Sequence, residues 1–281
     1  MHDATIIDGR RHVALDEVDP AADGGLSEQE ASERLERLTE ELRELQELMF
    51  AAEANGVLVI LQGMDAAGKD VTIQHVFRSA TAEAIRVKHF KAPTDVEEKH
   101  DIFWRAHAEA PVRGELVIFD RSYYEQVVLP QVEGESSEEE RAQLSADVVA
   151  FERLLRNGGT VIVKCFLHVS NAEQERRLVE RMENLDTAWK ISENDWTSRE
   201  SWDGYMAAYE ATMNATATPV LPWYVIPADH QWFHNLVIAE LLVERLREHR
   251  ESWLEARQER ARKEQAAARE AAPNGVASES R

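Results

Sequence analysis

The chain has 281 residues, 43% hydrophobic content and a formal net charge of −21, which allows a sizeable core and argues against a nucleic-acid binder working by bulk attraction. Its longest clean apolar run, Val57 to Leu61, is too short to span a bilayer, and the N-terminus carries Asp3 and Asp8 with no apolar stretch of a signal peptide. One cysteine, Cys165, cannot form an internal disulfide, so the expectation is a cytoplasmic protein with neither membrane nor nucleic acid among its partners. Only 7 of the 32 basic residues are lysine against 53 acids, a balance that a high-GC genome explains, with a high-salt habitat as the weaker alternative.

Residues 1–26 are polar, with Pro20 and Gly24-Gly25, and read as a loose N-terminal arm. Ser27 and Glu30 form a capping-box signal. Leu35, Leu38, Leu42, Leu45, Met49 and Ala52 follow at spacings of three and four, giving a long amphipathic helix whose stripe suits core or dimer packing. Gly56 ends that helix, and Val57 to Leu61 reads as a buried parallel strand. Comparable runs are Leu116 to Phe119, Thr160 to Val163 and Trp223 to Ile226, with a shorter one at Ile85 to Phe90. Helical patterns fill 69–82, 95–109, 137–157, 171–183, 199–214 and 230–249. Strands alternating with helices predict an α/β fold, a parallel central sheet between helical layers, over a domain spanning 27–249. The tail 250–281 is charged and reads as helical, then disordered from Pro273.

Gly63-Met64-Asp65-Ala66-Ala67-Gly68-Lys69-Asp70 lies between a strand and a helix, the context a P-loop requires. Glycines let backbone N–H groups converge, the helix dipole favours an anion, and Lys69 reaches a transferring phosphate. Asp70 stands where Ser or Thr ordinarily binds Mg²⁺, and the next hydroxyl is Thr72. Asp65 inside the loop is tolerable only with a cation between it and the phosphates. Asp120 ends the Leu116 to Phe119 strand, where ligands gather in open α/β sheets, and supplies a second metal carboxylate. Arg121 beside it suits charge on a transferring phosphoryl group. Arg176, Arg177, Arg181 and Lys190 make a basic island in an acidic chain, or else pair along the helix with Glu173, Glu180 and Glu183. Lys88, Lys91 and Arg105 line the anion path or simply face solvent.

Leu61 to Asp70, Phe90-Lys91-Ala92-Pro93, Phe119 to Tyr124 and Pro222 to Asp229 together, and in this order, resemble the family-2 polyphosphate kinases over about residues 28 to 248. That resemblance implies a P-loop NTPase-like three-layer α/β/α sandwich and reversible phosphoryl transfer between inorganic polyphosphate and nucleotides. The cofactor it implies is Mg²⁺, with Mn²⁺ as a substitute. It places metal on Asp65 and Asp120, transition-state charge on Lys69, Arg121 and Arg181, and phosphate or nucleotide contacts on Gly63, Met64, Ala66, Ala67, Gly68, Asp70, Lys91, Arg105, Arg177 and Lys190. It also implies a helical lid at about 175–198 and, with the long helix, a homo-oligomer. Asn184 to Ala188 and Gln131 to Gly134 depart from the family pattern by lacking positive charge. Competing readings are an ATP-dependent, thymidylate-kinase-like enzyme, which the missing Ser/Thr disfavours, and a non-catalytic polyphosphate binder.

Overall fold

The computed structural model describes residues 3–186, 188–190 and 193–271, without the side chains of Lys190 and residues 193–195. Its strands are β1 (Thr5–Ile7), β2 (Gly56–Gln62), β3 (Ile85–His89), β4 (Leu116–Asp120), β5 (Thr160–His168) and β6 (Trp223–Pro227). They form one sheet of order β1-β6-β5-β2-β4-β3, parallel from β6 to β3. All residues of β2 and β5 are buried, as continuous apolar runs require of central parallel strands.

The helices are α1 (Glu28–Ala52), α2 (Lys69–Val76), α3 (Trp104–Ala108), α4 (Glu125–Val132), α5 (Glu138–Asn157), α6 (Asn171–Glu183), α7 (Glu193–Glu200), α8 (Trp202–Thr216), α9 (Gln231–Arg247) and α10 (Arg250–Ala271). α1, α2, α9 and α10 pack as one group and α4, α5 and α8 as another. The α/β architecture expected from the sequence is present.

Several local expectations differ. The described part of the N-terminal arm, 3–26, is built into the fold: β1 pairs antiparallel with β6, and Asn214 and Glu210 accept from the backbone N–H groups of Val13 and Leu15 at 2.9 and 2.8 Å. Three residues are too few to show strand alternation in a sequence. The predicted capping box at Ser27 forms, but α1 ends at Ala52 on a left-handed Glu53 (φ 47°), before Gly56. Leu35, Leu42, Leu45 and Met49 are buried in the chain's own core, on a helix that packs against α9 and α10, so the stripe serves core packing. α2 stops at Val76 rather than 82, and only Trp104–Ala108 of the 95–109 pattern is α-helical. Ser170 caps α6, its Oγ accepting from Glu173 N–H at 3.1 Å. α10 runs to Ala271, its Trp253 indole donating to Asn55 Oδ1 at 2.8 Å; the disorder expected from Pro273 falls outside the described residues. No helix among the described residues is long and apolar enough to cross a membrane.

Beneath the β4–α4 turn lies a fully buried ion pair, Lys164 Nζ to Glu152 Oε2 at 2.8 Å. Tyr123 and Tyr124 hydroxyls donate to Glu152 Oε1 at 2.9 and 2.7 Å. Burial pulls the Lys164 ammonium down and Glu152 opposes that. The network anchors the backbone immediately after Arg121 on the interior of the sheet.

Candidate active site

The phosphate cradle joins the carboxyl end of β2 to the amino end of α2. Its two glycines are required by geometry. Gly63 has φ 145° and a Cβ there would fall 2.8 Å from Leu167 O; at Gly68, with φ 113°, it would fall 2.5 Å from His234 Cε1. Ala66 is also left-handed at φ 60°, a conformation that costs a non-glycine residue roughly 1–2 kcal/mol. Lys69 is buried, with Nζ 2.8 Å from Gly63 O and 3.1 Å from Met64 O.

His234, on the first turn of α9, sits under Gly68 with both ring nitrogens buried and without hydrogen-bond partners. Burial, reinforced by the Arg177 charge, lowers its pKa to about 3. It is a neutral wedge beneath the loop.

β3 and β4 run in register with His89 opposite Asp120. His89 Nδ1 lies 2.7 Å from Asp120 Oδ2, while Asp120 Oδ1 is buried without a hydrogen-bond partner. Asp70, His89 and Asp120 offer ligand atoms within 4.8 Å of one another. An orphaned carboxylate oxygen beside a second carboxylate fits a divalent cation, and hard oxygen donors suit Mg²⁺ or Mn²⁺. Asp65 turns to Arg121 in a close ion pair. Arg121 itself is left-handed at φ 59°. Burial alone pulls its guanidinium down, but Asp65 and Glu125 outweigh it and hold the group above the ordinary arginine value.

Two clefts meet here. One, about 400 Å³, is lined by Asp65, Ala66, Gly68, Lys69, Asp70, Asp120, Arg121, Arg177 and Arg181, among others. The other, about 290 Å³, holds Met64, Phe90, Lys91, Pro93, Arg105, Tyr205 and Tyr209 and shares Asp65 and Arg121 with the first. Burial first, then Glu125, keeps the Tyr209 hydroxyl protonated. The first cleft is lined mainly by charged side chains and loop backbone, with no aromatic residue; the second has aromatic walls.

The structure thus gathers Gly63, Met64, Asp65, Ala66, Gly68, Lys69, Asp70, Asp120, Arg121, Arg177 and Arg181 around the cradle, and Lys91 and Arg105 beside it. Ala67, fully buried, supports the loop from behind. Arg105 is buried, donating to Lys91 O at 2.9 Å with its guanidinium over the Phe90 ring. Lys88 instead pairs with Glu109 at 2.6 Å. Arg176 pairs along its helix with Glu173 and Glu180, the local alternative to an anion-binding role. The Lys190 side chain lies outside the described residues. Residues that sequence reasoning did not single out are His89, Gln174, Tyr205, Tyr209 and His234. None carries a local motif; each acquires its place from tertiary register.

A cradle on a parallel sheet, a strand-end carboxylate beside it and two clefts meeting at an Asp–Arg pair define a P-loop phosphotransferase. Residues 25–253 match the polyphosphate kinase 2 family model, and the chain belongs to that family. It is 43% identical over 226 residues to the AMP/ADP-polyphosphate phosphotransferase of Meiothermus ruber, covering 80% of this chain and 84% of that one. It is 35% identical over 230 residues to the ADP-polyphosphate phosphotransferase of Rhodopseudomonas palustris, covering 78% and 80%. The crystal structure of polyphosphate kinase 2 from Arthrobacter aurescens TC1 superimposes with a TM-score of 0.80 at 35% identity, covering 83% of this chain and 85% of that one.

Proposed function

We propose that this chain transfers a terminal phosphoryl group between inorganic polyphosphate and nucleotides, reversibly and with Mg²⁺. The observation that carries this reading is the meeting of two unlike clefts at Asp65 and Arg121. The charged cleft suits a polyanion with no base to stack, whereas the aromatic cleft suits a nucleoside. In-line transfer needs donor and acceptor on opposite sides of one phosphorus, which two clefts with a common wall supply. Relatives carry names for AMP/ADP, ADP and GDP as polyphosphate partners, and the same substrate class is proposed here. Neither the family match nor these names favours an ATP-donor, thymidylate-kinase-like reading.

Within the site, Lys69, Arg121 and Arg181 stabilise charge on the equatorial oxygens. Asp65 orients Arg121 across the shared wall. Asp65 and Asp120, joined by Asp70, would hold the cation, which when bound neutralises charge on the reacting oxygens. His89 fixes the Asp120 carboxylate from the solvent side. The acceptor oxygen belongs to an already ionised phosphate, so no strong general base is needed.

The test is incubation with polyphosphate, Mg²⁺ and AMP, ADP or GDP in turn, without ATP, followed by separation of the nucleotides. A more highly phosphorylated nucleotide is expected with at least one acceptor. Product appearing only when ATP replaces polyphosphate would overturn the reading.

A further inference from the structure

A phosphate cradle works by turning successive N–H groups inward, and planar peptides then send the intervening carbonyls outward, where each needs a donor. In this chain those donors come from a short list of side chains. Lys69 Nζ takes Gly63 O and Met64 O. Gln174 Nε2 donates to Asp65 O at 3.0 Å. Arg177 Nη1 donates to Ala66 O at 3.1 Å and Ala67 O at 2.9 Å. Every carbonyl from residue 63 to 67 is therefore held by a side chain, three of them from α6.

Arg177 goes further. Its Nη2 donates to Ala228 O at 2.7 Å and Asp229 O at 2.8 Å, and its Nε to Glu173 at 2.7 Å. A guanidinium has five N–H donors, and all five are engaged within the protein. The side chain is buried, and so is Gln174, whose Oε1 accepts from Arg199 of α7 at 3.1 Å. Arg199 also binds the Asn171 carbonyl and the Asn171 and Glu175 side chains at 2.5–2.7 Å. A continuous set of hydrogen bonds runs from α7 through α6 to the loop and on to the β6–α9 turn.

We propose that Gln174 and Arg177 are positioning residues that hold the phosphate cradle in its N–H-inward shape, and that Arg177 is not itself a phosphate contact. The five-donor engagement leaves it nothing to offer an anion without letting go of the loop. With Gln174 it also explains how Ala66 persists in a left-handed conformation: the carbonyls of the peptides before and after it, Asp65 O and Ala66 O, are both pinned. A lysine cannot substitute, because one ammonium does not bridge the Ala66–Ala67 and Ala228–Asp229 segments in a planar fork. Residues 171–177 form a fixed root for the segment expected to act as a lid.

The kinetic arm of the test rests on the phosphotransfer reading; the exchange arm does not. In Arg177→Lys, kcat should fall about 100-fold with KM for polyphosphate within about twofold. Adding Ala66→Gly, which removes the strain the clamp opposes, should restore about tenfold. The same glycine added to Arg181→Ala should restore nothing. Hydrogen exchange of the amides of residues 64–70 in the substrate-free variant should accelerate about tenfold, with β5 unchanged. A raised KM with unchanged kcat, no rescue by glycine and unaltered exchange would make Arg177 a phosphate contact and overturn the proposal. If Arg177→Lys does not fold, Gln174→Met decides, with the same loss of kcat and the same local exchange expected, and unchanged values of both contradicting it. If the wild type shows no polyphosphate turnover while exchange responds as stated, the phosphotransfer reading fails and the positioning role stands.

Discussion

Asp65 and Arg121 form an ion pair across the wall that two clefts share, joining the interior of the phosphate cradle to the residue immediately after β4. Each reaches the other from a constrained backbone: Asp65 precedes a left-handed Ala66, and Arg121 is itself left-handed. In the proposed reaction a phosphoryl group would pass beside this one negative and one positive group on its way from donor to acceptor.

Asp120→Asn should abolish transfer, with a loss of about 10³-fold or more in kcat, since a neutral amide cannot complete a site for a divalent cation. Initial rates of nucleotide formation from polyphosphate measure it, and a fully active variant would contradict the assignment of Asp120. Adding EDTA to the wild type should stop turnover, and excess Mg²⁺ should restore it.

Lys69→Met should lower kcat by about 10² to 10³, the usual cost of removing one donor from developing charge. Because Lys69 also holds Gly63 O and Met64 O, polyphosphate binding should weaken as well. Steady-state kinetics with polyphosphate varied separates the two effects.

Gly68→Ala should fail both to fold tightly and to turn over, because its Cβ would collide with the His234 ring in a positive-φ position. A lower melting temperature together with lost activity is the expected pair of results. Wild-type stability would show that the ring moves aside freely.

Acid sensitivity should trace to His234. Its folded pKa of about 3 lies below the ordinary histidine value of 6.5, so the unfolded chain binds the extra proton between those values. Stability is fully present above pH 6.5 and falls as pH drops toward 3. The loss from pH 6.5 to 5 is about 2 kcal/mol for this one group. Urea unfolding at pH 5 and pH 7.5 measures it, and His234→Met should flatten the difference.

Lys164→Met should destabilise the fold by about 3–5 kcal/mol, because Glu152 is left as an uncompensated buried charge. Denaturant midpoints test this, and an unchanged midpoint would show that Glu152 takes up a proton at little cost.

The sequence made the site's frame legible where the physics is local. β2, β4, β5 and β6 are apolar runs, the cradle is a contiguous motif, and Asp120 falls at a strand end. What it did not show depends on register or distance. His89 meets Asp120 only because β3 and β4 align, and Arg177 meets Ala66 and Ala67 across 110 residues or so of chain. Arg177 and Arg181 look alike to a reading that counts charges; burial and donor geometry tell them apart. β1 is too short to be visible, and α2 and α3 stop short of the helical patterns the sequence shows.

The most direct measurement follows ³¹P signals of ADP and polyphosphate mixed with the protein and Mg²⁺ in the absence of ATP, beside the Asp120→Asn protein. The account predicts growth of nucleoside triphosphate signals matched by loss of polyphosphate phosphorus in the wild type alone. Persistent ADP with intact polyphosphate in the wild type, or equal conversion by both proteins, would contradict it.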